Sequence, residues 1–176
     1  MDYYNPRLEY AWNIISRHIN FKDKTVLDVG CGHGDIIRAC HSVGAIVYGL
    51  DKELQEDIKQ IAIGKENFHL VRDDINEWCE TWLSFKRKSS IGVDVLICMS
   101  VLPYLDRPFK ALEYFKQIAP ILILEVQYFG DGPGLLRMCN DSQMEEILLN
   151  HWSNVSKIGA TLVEGRHKYR SIWLCK

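Results

Sequence analysis

The chain has no CxxC pair, no HxxxH pair and no histidine placed beside two cysteines, so the spacings that hold a metal such as zinc are missing. Its six cysteines (Cys31, Cys40, Cys79, Cys98, Cys139, Cys175) are scattered and mostly lie inside apolar segments, the habit of reduced thiols rather than of a disulfide framework. Long hydrophobic runs are missing too. Stretches such as Ile121 to Leu124 fall far short of the ~18 residues of a membrane span, and Met1 to Arg7 is polar and aromatic, with no secretion signal. Nor is there an excess of one charge: 21 Lys plus Arg against 23 Asp plus Glu leave −2, which is not the field of a nucleic-acid binder. Internal repeats, low-complexity tracts and Pro/Ser-rich linkers are absent, and Lys86 to Ser90 reads as a solvated loop. What remains is one cytoplasmic domain over residues 1–176, with no membrane contact. At this length a chain buries roughly 70% of its unfolded surface and needs no staples.

What is there alternates. Asn5 and Pro6 start a helix carried by Leu8, Trp12, Ile15 and Ile19. Val26 to Val29 is a short strand ending in glycines, Ile36 to Val43 a helix stopped by Gly44, and Ile46 to Leu50 a second strand. A helix over Lys52 to Ile63, a strand at Phe68 to Val71, a helix marked by Trp78, Trp82 and Phe85, and a strand at Val93 to Cys98 continue the pattern. Such alternation implies a parallel sheet. Pro108 opens a helix through Ile118, and Ile121 to Val126 is almost wholly apolar, as a strand covered on both faces must be, with function expected at its carboxyl end. Ser142 with Glu145 spells a capping box for a helix to Leu149. Val155 to Leu162 and Tyr169 to Cys175, with no helix between them, predict an antiparallel hairpin at one sheet edge.

The informative segment is VLDVGCGHGD at positions 26 to 35, a strand running through Gly30, Gly32 and Gly34 into a helix. Alternate residues without a Cβ allow positive φ and close approach of backbone to a ligand, and the N–H groups at the helix start can donate to it. A dinucleotide fingerprint would place its third glycine at position 35, which is Asp35. Charge argues the same way. A pyrophosphate would meet Asp28 and Asp35, and at ~5 Å each like-charge contact costs about 3 kcal/mol in an effective dielectric near 20. A ligand carrying an ammonium and a sulfonium gains from those acids, while its carboxylate can use the backbone N–H groups; S-adenosylmethionine fits that description. Asp51 ends the second strand, placed to accept from two ribose hydroxyls, with Lys52 beside it. Asp74 follows the third strand and could accept from an adenine amino group, with the Ile75 N–H and side chain offered to the ring. Each acid alone reads equally as a cap or turn residue; their joint placement at three strand ends points to a ligand.

With these residues in hand, the sequence resembles the class I, Rossmann-like S-adenosylmethionine-dependent methyltransferases, by motif from Val26 to about Tyr104 and by strand order to Lys176. Its first motif looks like VLDVGCGHGD, its ribose acid like Asp51, its adenine-side acid like Asp74, and its fourth motif like VDVLICMSVLPYL from Val93. The resemblance implies a seven-stranded, mostly parallel sheet of order 3-2-1-4-5-7-6 with the last strand antiparallel and helices on both faces. It implies S-adenosylmethionine as cofactor and S-adenosylhomocysteine as product, held by Asp28, Gly30, Cys31, Gly32, Gly34, Asp51, Lys52, Asp74 and Ile75. Cys98 or Met99 then contacts the methionine part and Ser100 lies beside the methyl group. The Asn/Asp-Pro-Pro-Tyr/Phe signature of the amino-methylating nucleic-acid enzymes is missing, since Cys98-Met99-Ser100-Val101-Leu102-Pro103-Tyr104 stands there. A small-molecule acceptor is therefore favoured over nucleic acid or protein.

Methyl transfer from a sulfonium requires alignment more than acid/base chemistry. Candidate bases are His33, His151, His167, Asp131, Tyr104 and Tyr128, and none is singled out. Tyr104, Tyr128 and Asp131 are expected on the acceptor side, the last two in the loop after the fifth strand. Tyr3, Tyr4, Tyr10 and Trp12 give residues 1–24 an aromatic face, a lid or simple packing against the 25–176 core. Arg166, His167, Lys168 and Arg170 read as an edge-strand guard or as an anion contact. Two other functions share parts of this signature. One is a noncatalytic cofactor-binding subunit of a larger complex; the other, an NAD-dependent oxidoreductase, needs the pyrophosphate site that the acids oppose.

Overall fold

The structure, a computed structural model, describes residues 5–77, 92–128, 139–163 and 168–176, with the side chains of Val163 and Lys168 left aside. In chain order it runs α1 (Pro6–Ile15), β1 (Thr25–Val29), α2 (Asp35–Ser42), β2 (Ile46–Asp51), α3 (Glu56–Ala62), β3 (Phe68–Arg72), β4 (Val95–Met99), α4 (Pro108–Ile118), β5 (Ile121–Val126), α5 (Asp141–Leu149), β6 (Val155–Val163) and β7 (Lys168–Cys175). The seven strands form one sheet of order β3-β2-β1-β4-β5-β7-β6. Pairs from β3 through β5 are parallel, and β7 is antiparallel to both β5 and β6.

Period-two alternation divides the core between two faces. Leu27, Val29, Leu96, Leu122 and Leu124 meet Leu112 and Phe115 of α4 and Met144 and Leu148 of α5 on one side. Val26, Val47, Val95, Ile97 and Ile123 meet Ala11 and Ile15 of α1, Ile36 and Ile37 of α2 and Ile58 of α3 on the other. Both faces being covered, the central strands are apolar throughout. Strand order reverses between β1 and β4, and ligands of open parallel sheets settle in the crevice outside the carboxyl ends at such a reversal.

Several boundaries moved, each for a local reason. The helix expected over Lys52 to Ile63 is only α3, because Asp51 Oδ1 accepts the Glu53 N–H at 3.0 Å and this short turn competes with helix. The capping box is formed by Asn140 and Gln143, not by Ser142 and Glu145. Asn140 is extended at φ −122°, so Ser142 already lies inside the helix. β4 begins at Val95, since Asp94 turns its carboxylate to the Thr25 N–H at 2.8 Å. α1 ends at Ile15, yet Ile19 is still buried, and Trp12 packs on Phe21 with ring centroids 5.2 Å apart. The edge-guard reading of Arg170 is corrected by topology: β7 is an interior strand, and only β6 is the edge on that side. The Trp78, Trp82 and Phe85 helix and the Lys86 to Ser90 loop lie outside the described residues, as do Tyr3, Tyr4, Cys79, Asp131, Arg166 and His167.

Candidate active site

β1 leaves the sheet through a backbone that glycine makes feasible. Gly30, Gly32 and Gly34 have φ of +76°, +51° and +79°, a region that side chains disfavour. At Gly30 a Cβ would stand 2.2 Å from Val101 Cγ2, and at Gly34 one would stand 2.4 Å from Ile58 Cδ1, so these two glycines serve packing. At Gly32 nothing lies within 4 Å, which leaves the backbone open to a guest. Gly30 and Cys31 donate N–H bonds to the Leu50 carbonyl at 2.8 and 3.0 Å, and Gly32 donates to Asp51 Oδ2 at 2.9 Å, tying the loop to the end of β2.

Two cavities meet at Gly30. One, of about 180 Å³, is walled by Asp28, Cys31, Gly32, Asp35 and Met99, with Asn5, Arg7 and Leu8 of the first helix closing it from above. The other, of about 290 Å³, is walled by Asp51, Lys52, Asp74, Ile75, Ser100 and Tyr104. Of the twelve residues expected at the cofactor on sequence grounds, Gly34 and Cys98 line neither cavity, and the other ten line one or both. Tyr128 also lines neither; its hydroxyl accepts from Trp173 Nε1 at 3.3 Å, and burial pushes its pKa up.

The first cavity is built for a cation. Asp28 is buried, and burial, then the Asp51 and Asp35 carboxylates, raise its pKa to about 7. Asp35 holds Arg38 with Oδ1 at 2.5 Å, whereas its Oδ2 is buried with no hydrogen-bond partner among the described residues. An ammonium would answer both groups. The Cys31 thiol is pushed well up, chiefly by burial and then by Asp28 and Asp51, so it is no nucleophile at neutral pH. In the second cavity, Asp51 keeps spare acceptor capacity on both oxygens beside its bonds to Gly32 and Glu53. Asp74 is exposed and takes the Asn76 N–H at 2.9 Å on Oδ1, a turn that leaves Oδ2 for a ligand donor. His33 Nδ1 lies 2.8 Å from Asp57 Oδ2, which holds the ring to α3. Among the described residues no group of three or more His, Cys, Asp or Glu could hold a metal, and no helix is long and apolar enough to cross a membrane.

Beside these cavities stands a charged knot that sequence reading passed over. Glu125, next to last in β5, is fully buried. Its carboxylate takes the Arg7 guanidinium, the Ser100 hydroxyl and Thr161 Oγ1, and Arg170 Nη1 stands 3.9 Å away and donates to Ser100 Oγ at 3.1 Å. Ser100 itself sits at φ +63°, in a region costly for a residue with a Cβ, while its N–H donates to the Glu125 carbonyl at 3.1 Å. The signal was the acid in ILILEV: a lone carboxylate inside a buried strand must be paired.

Comparison with known proteins bears on the family and the fold. A family model described as a methyltransferase domain matches residues 27–119. The chain is 33% identical over 110 residues to a ubiquinone biosynthesis O-methyltransferase of Coxiella burnetii (strain RSA 493 / Nine Mile phase I), which covers 62% of this chain and 43% of that protein. It is 30% identical over 113 residues to the protein of the same description from Paraburkholderia xenovorans (strain LB400), covering 62% and 44%. The chain thus spans less than half the length of these curated relatives. Among solved structures, magnesium protoporphyrin IX methyltransferase from Synechocystis PCC 6803 with bound S-adenosylmethionine superposes with a TM-score of 0.70 at 19% identity, over 97% of this chain and 77% of that one. Burkholderia thailandensis 1,6-didemethyltoxoflavin-N1-methyltransferase, with its named compound and S-adenosylhomocysteine bound, gives 0.71 at 15% identity, over 97% and 77%. At these identities the likeness is one of fold.

Proposed function

The chain belongs to the methyltransferase domain family, of the class I S-adenosylmethionine-dependent kind, and from that premise we propose that it methylates a small-molecule acceptor at the carboxyl ends of β1, β4 and β5. The observation that carries the reading is the cation-seeking cavity of Asp28 and the unpartnered Asp35 Oδ2, joined at Gly30 to a cavity edged by Asp51 and Asp74. S-adenosylmethionine, when bound, would supply a methyl group activated by a sulfonium: the acceptor's lone pair would bond to the methyl carbon in line as the carbon–sulfur bond breaks and its electron pair returns to sulfur. Asp28 and Asp35 would hold its ammonium, the open Gly32 backbone would admit the amino-acid part, Asp51 would accept from the ribose hydroxyls, and Asp74 with Ile75 would take the adenine. Arg7 and Leu8 exclude water from above. Exclusion matters because a reaction that spreads or cancels charge runs faster out of water.

A small acceptor is supported by the small volumes of the cavities, about 180 and 290 Å³. It is also supported by the relatives, whose descriptions name ubiquinone biosynthesis. The free thiols of Cys31, Cys40 and Cys175 suit the reducing conditions of a cytoplasm. Calorimetric titration with S-adenosylhomocysteine tests the assignment. Wild-type chain should bind, and Asp51→Ala should bind about 10- to 100-fold more weakly through loss of charge-assisted bonds, while still unfolding in one cooperative transition, at a melting temperature lowered by the loss of its bonds to Gly32 and Glu53. Equal affinity in the two proteins refutes the ribose role of Asp51, and failure of wild type to bind refutes the reading as a whole.

A further inference from the structure

Three residues break local rules, and they break them together. Glu125 puts a fully buried carboxylate into a strand that is otherwise apolar, ILILEV. Arg7 puts a guanidinium at the second position of α1, where the positive end of the helix dipole disfavours a cation. Ser100 stands at φ +63°; the other residues with a side chain at positive φ among those described, Asp23 and Asn67, are of the kinds that tolerate it, and serine is not. Each departure costs stability by itself. Chains keep such conflicts where function requires them, and these three residues meet on one atom: Glu125 Oε2 accepts from Arg7 Nη1 and from Ser100 Oγ.

The two donors belong to different cavities. Arg7 lines the one of Asp28, Gly32 and Asp35, Ser100 lines the one of Asp51, Asp74 and Ile75, and Gly30 is common to both. Glu125 itself lines neither. Its other oxygen, Oε1, accepts from Thr161 Oγ1, and its main-chain carbonyl accepts the Ser100 N–H at 3.1 Å. Ser100 is thus held by backbone and side chain alike, and its Oγ accepts a further bond from Arg170 at 3.1 Å. The helix that carries Arg7 is anchored unevenly. Ala11 and Ile15 are buried, and Ile14 packs so closely on β6 that a Cβ at Gly159 would stand 2.9 Å from Ile14 Cδ1. At the other end Pro6, Glu9 and Tyr10 are exposed, and Arg7 reaches across to Glu125 on β5.

We propose that Glu125 is a positioning residue for the methyl donor: by holding Arg7 and Ser100 on one oxygen, it fixes the lid over the amino-acid end and a wall at the nucleoside end before the donor enters. The inference rests on the S-adenosylmethionine reading of the two cavities and adds to it a residue that touches no ligand. Both oxygens of Glu125 are buried and engaged, so it is no base for the acceptor. A wall already set loses no freedom when the guest arrives, and a fixed lid slows the guest's escape. With the clamp released, the first turn of α1 can swing from the end packed on β6, and the donor exchanges faster while the sheet persists.

The test measures the affinity and dissociation rate of S-adenosylhomocysteine, and hydrogen exchange in the unliganded chain, for wild type, Arg7→Gln, Ser100→Ala, Glu125→Gln and the double variant Arg7→Gln/Glu125→Gln. Each is measured where its near-UV circular dichroism is that of folded protein, so that lost stability alone moves neither readout. Arg7→Gln should raise the dissociation rate about 10-fold or more, Ser100→Ala should weaken affinity about 3- to 10-fold, and Glu125→Gln should do both. The double variant should bind no worse than Glu125→Gln, because a residue that acts through Arg7 has nothing left there to lose. Amides in the first half of α1 should exchange faster in Arg7→Gln and Glu125→Gln, and those of β1 and β4 as in wild type. A folded Glu125→Gln that binds and releases like wild type, additive losses in the double variant, or unchanged exchange in α1 would each overturn the proposal. Should Glu125→Gln not fold, wild-type binding and release in both Arg7→Gln and Ser100→Ala overturn it instead. If wild-type chain takes up no S-adenosylhomocysteine, the underlying reading falls and this proposal with it; uptake by wild type together with any of the contrary outcomes removes the role of Glu125 alone.

Discussion

The two ends of the binding edge are opposites. Around β1, β2 and β3 the strand ends carry Asp28, Asp51 and Asp74, with Asp35 opening α2; Asp28 is buried, and Asp35 Oδ2 has no hydrogen-bond partner among the described residues. Around β5, β6 and β7 two guanidiniums crowd one buried carboxylate. One sheet thus gathers carboxylates at its first half and guanidiniums at its second, on either side of the place where strand order reverses. The lesson concerns net charge: a total of −2 spread over 176 residues conceals two local fields of opposite sign. The two ends also differ in construction. The acidic end is made of loop backbone held by glycines, whereas the basic end is made of side chains reaching from three separate elements, α1, β5 and β7.

That contrast can be broken most severely at Glu125. Glu125→Leu strands Arg7 and Arg170 together without their counter-charge, at a cost of about 3 to 5 kcal/mol, so calorimetric melting should fall by roughly 6 to 20 °C. A melting temperature within 2 °C of wild type would show that the knot is solvated and not structural. The acidic end is broken differently at its glycines. Gly30→Ala drives a methyl group into Val101 and should lower stability by about 2 to 4 kcal/mol, measured by denaturant unfolding. Gly32→Ala meets open space and should cost only the positive-φ penalty of about 1 to 2 kcal/mol, while cofactor binding is lost because the new methyl group occupies ligand space. If both variants unfold alike, Gly32 is as structural as Gly30.

The smallest effect sharpens the comparison through pH. Because the Asp28 pKa is raised to about 7, the native state holds a proton that the unfolded chain has released. Its contribution to stability is complete below the unfolded value near 4 and is lost as pH rises through about 7. Melting of the unliganded protein should therefore decline from pH 5 to 8, less so in Asp28→Asn. Binding of an ammonium favours the ionised acid, so S-adenosylhomocysteine affinity should rise over the same interval with release of a proton, visible as a dependence of binding heat on buffer ionisation. A flat affinity profile would place the ammonium away from Asp28.

Much of the acidic end was legible because its signals are local. Glycines at alternate positions, a β-branched run before them and an acid after each of the next two strands are patterns within a few residues of one another. They were read as a ligand loop on that basis. The hairpin that closes the sheet was legible for the same reason, since two strands with no helix between them have little choice but to pair antiparallel. The boundaries that shifted did so where two local patterns competed, as when Asn140 and Ser142 both offered a cap and the extended backbone chose the first. Arg170 was misread from the basic cluster around it because whether a strand is edge or interior depends on which neighbour it pairs with, and that is not written within the strand.

By itself, then, the sequence determined the alternation of elements, the glycine loop and the acids at the strand ends, because those follow from backbone sterics and from hydrophobic period. Only the tertiary structure decided that Arg7, Ser100, Glu125, Thr161 and Arg170, scattered from the second residue of α1 to the last strand, share one charge cluster around the buried Glu125. The physical reason is that pairing a buried charge is a matter of distance in space. A carboxylate in an apolar strand announces that partners must exist, and only the folded sheet says which ones they are.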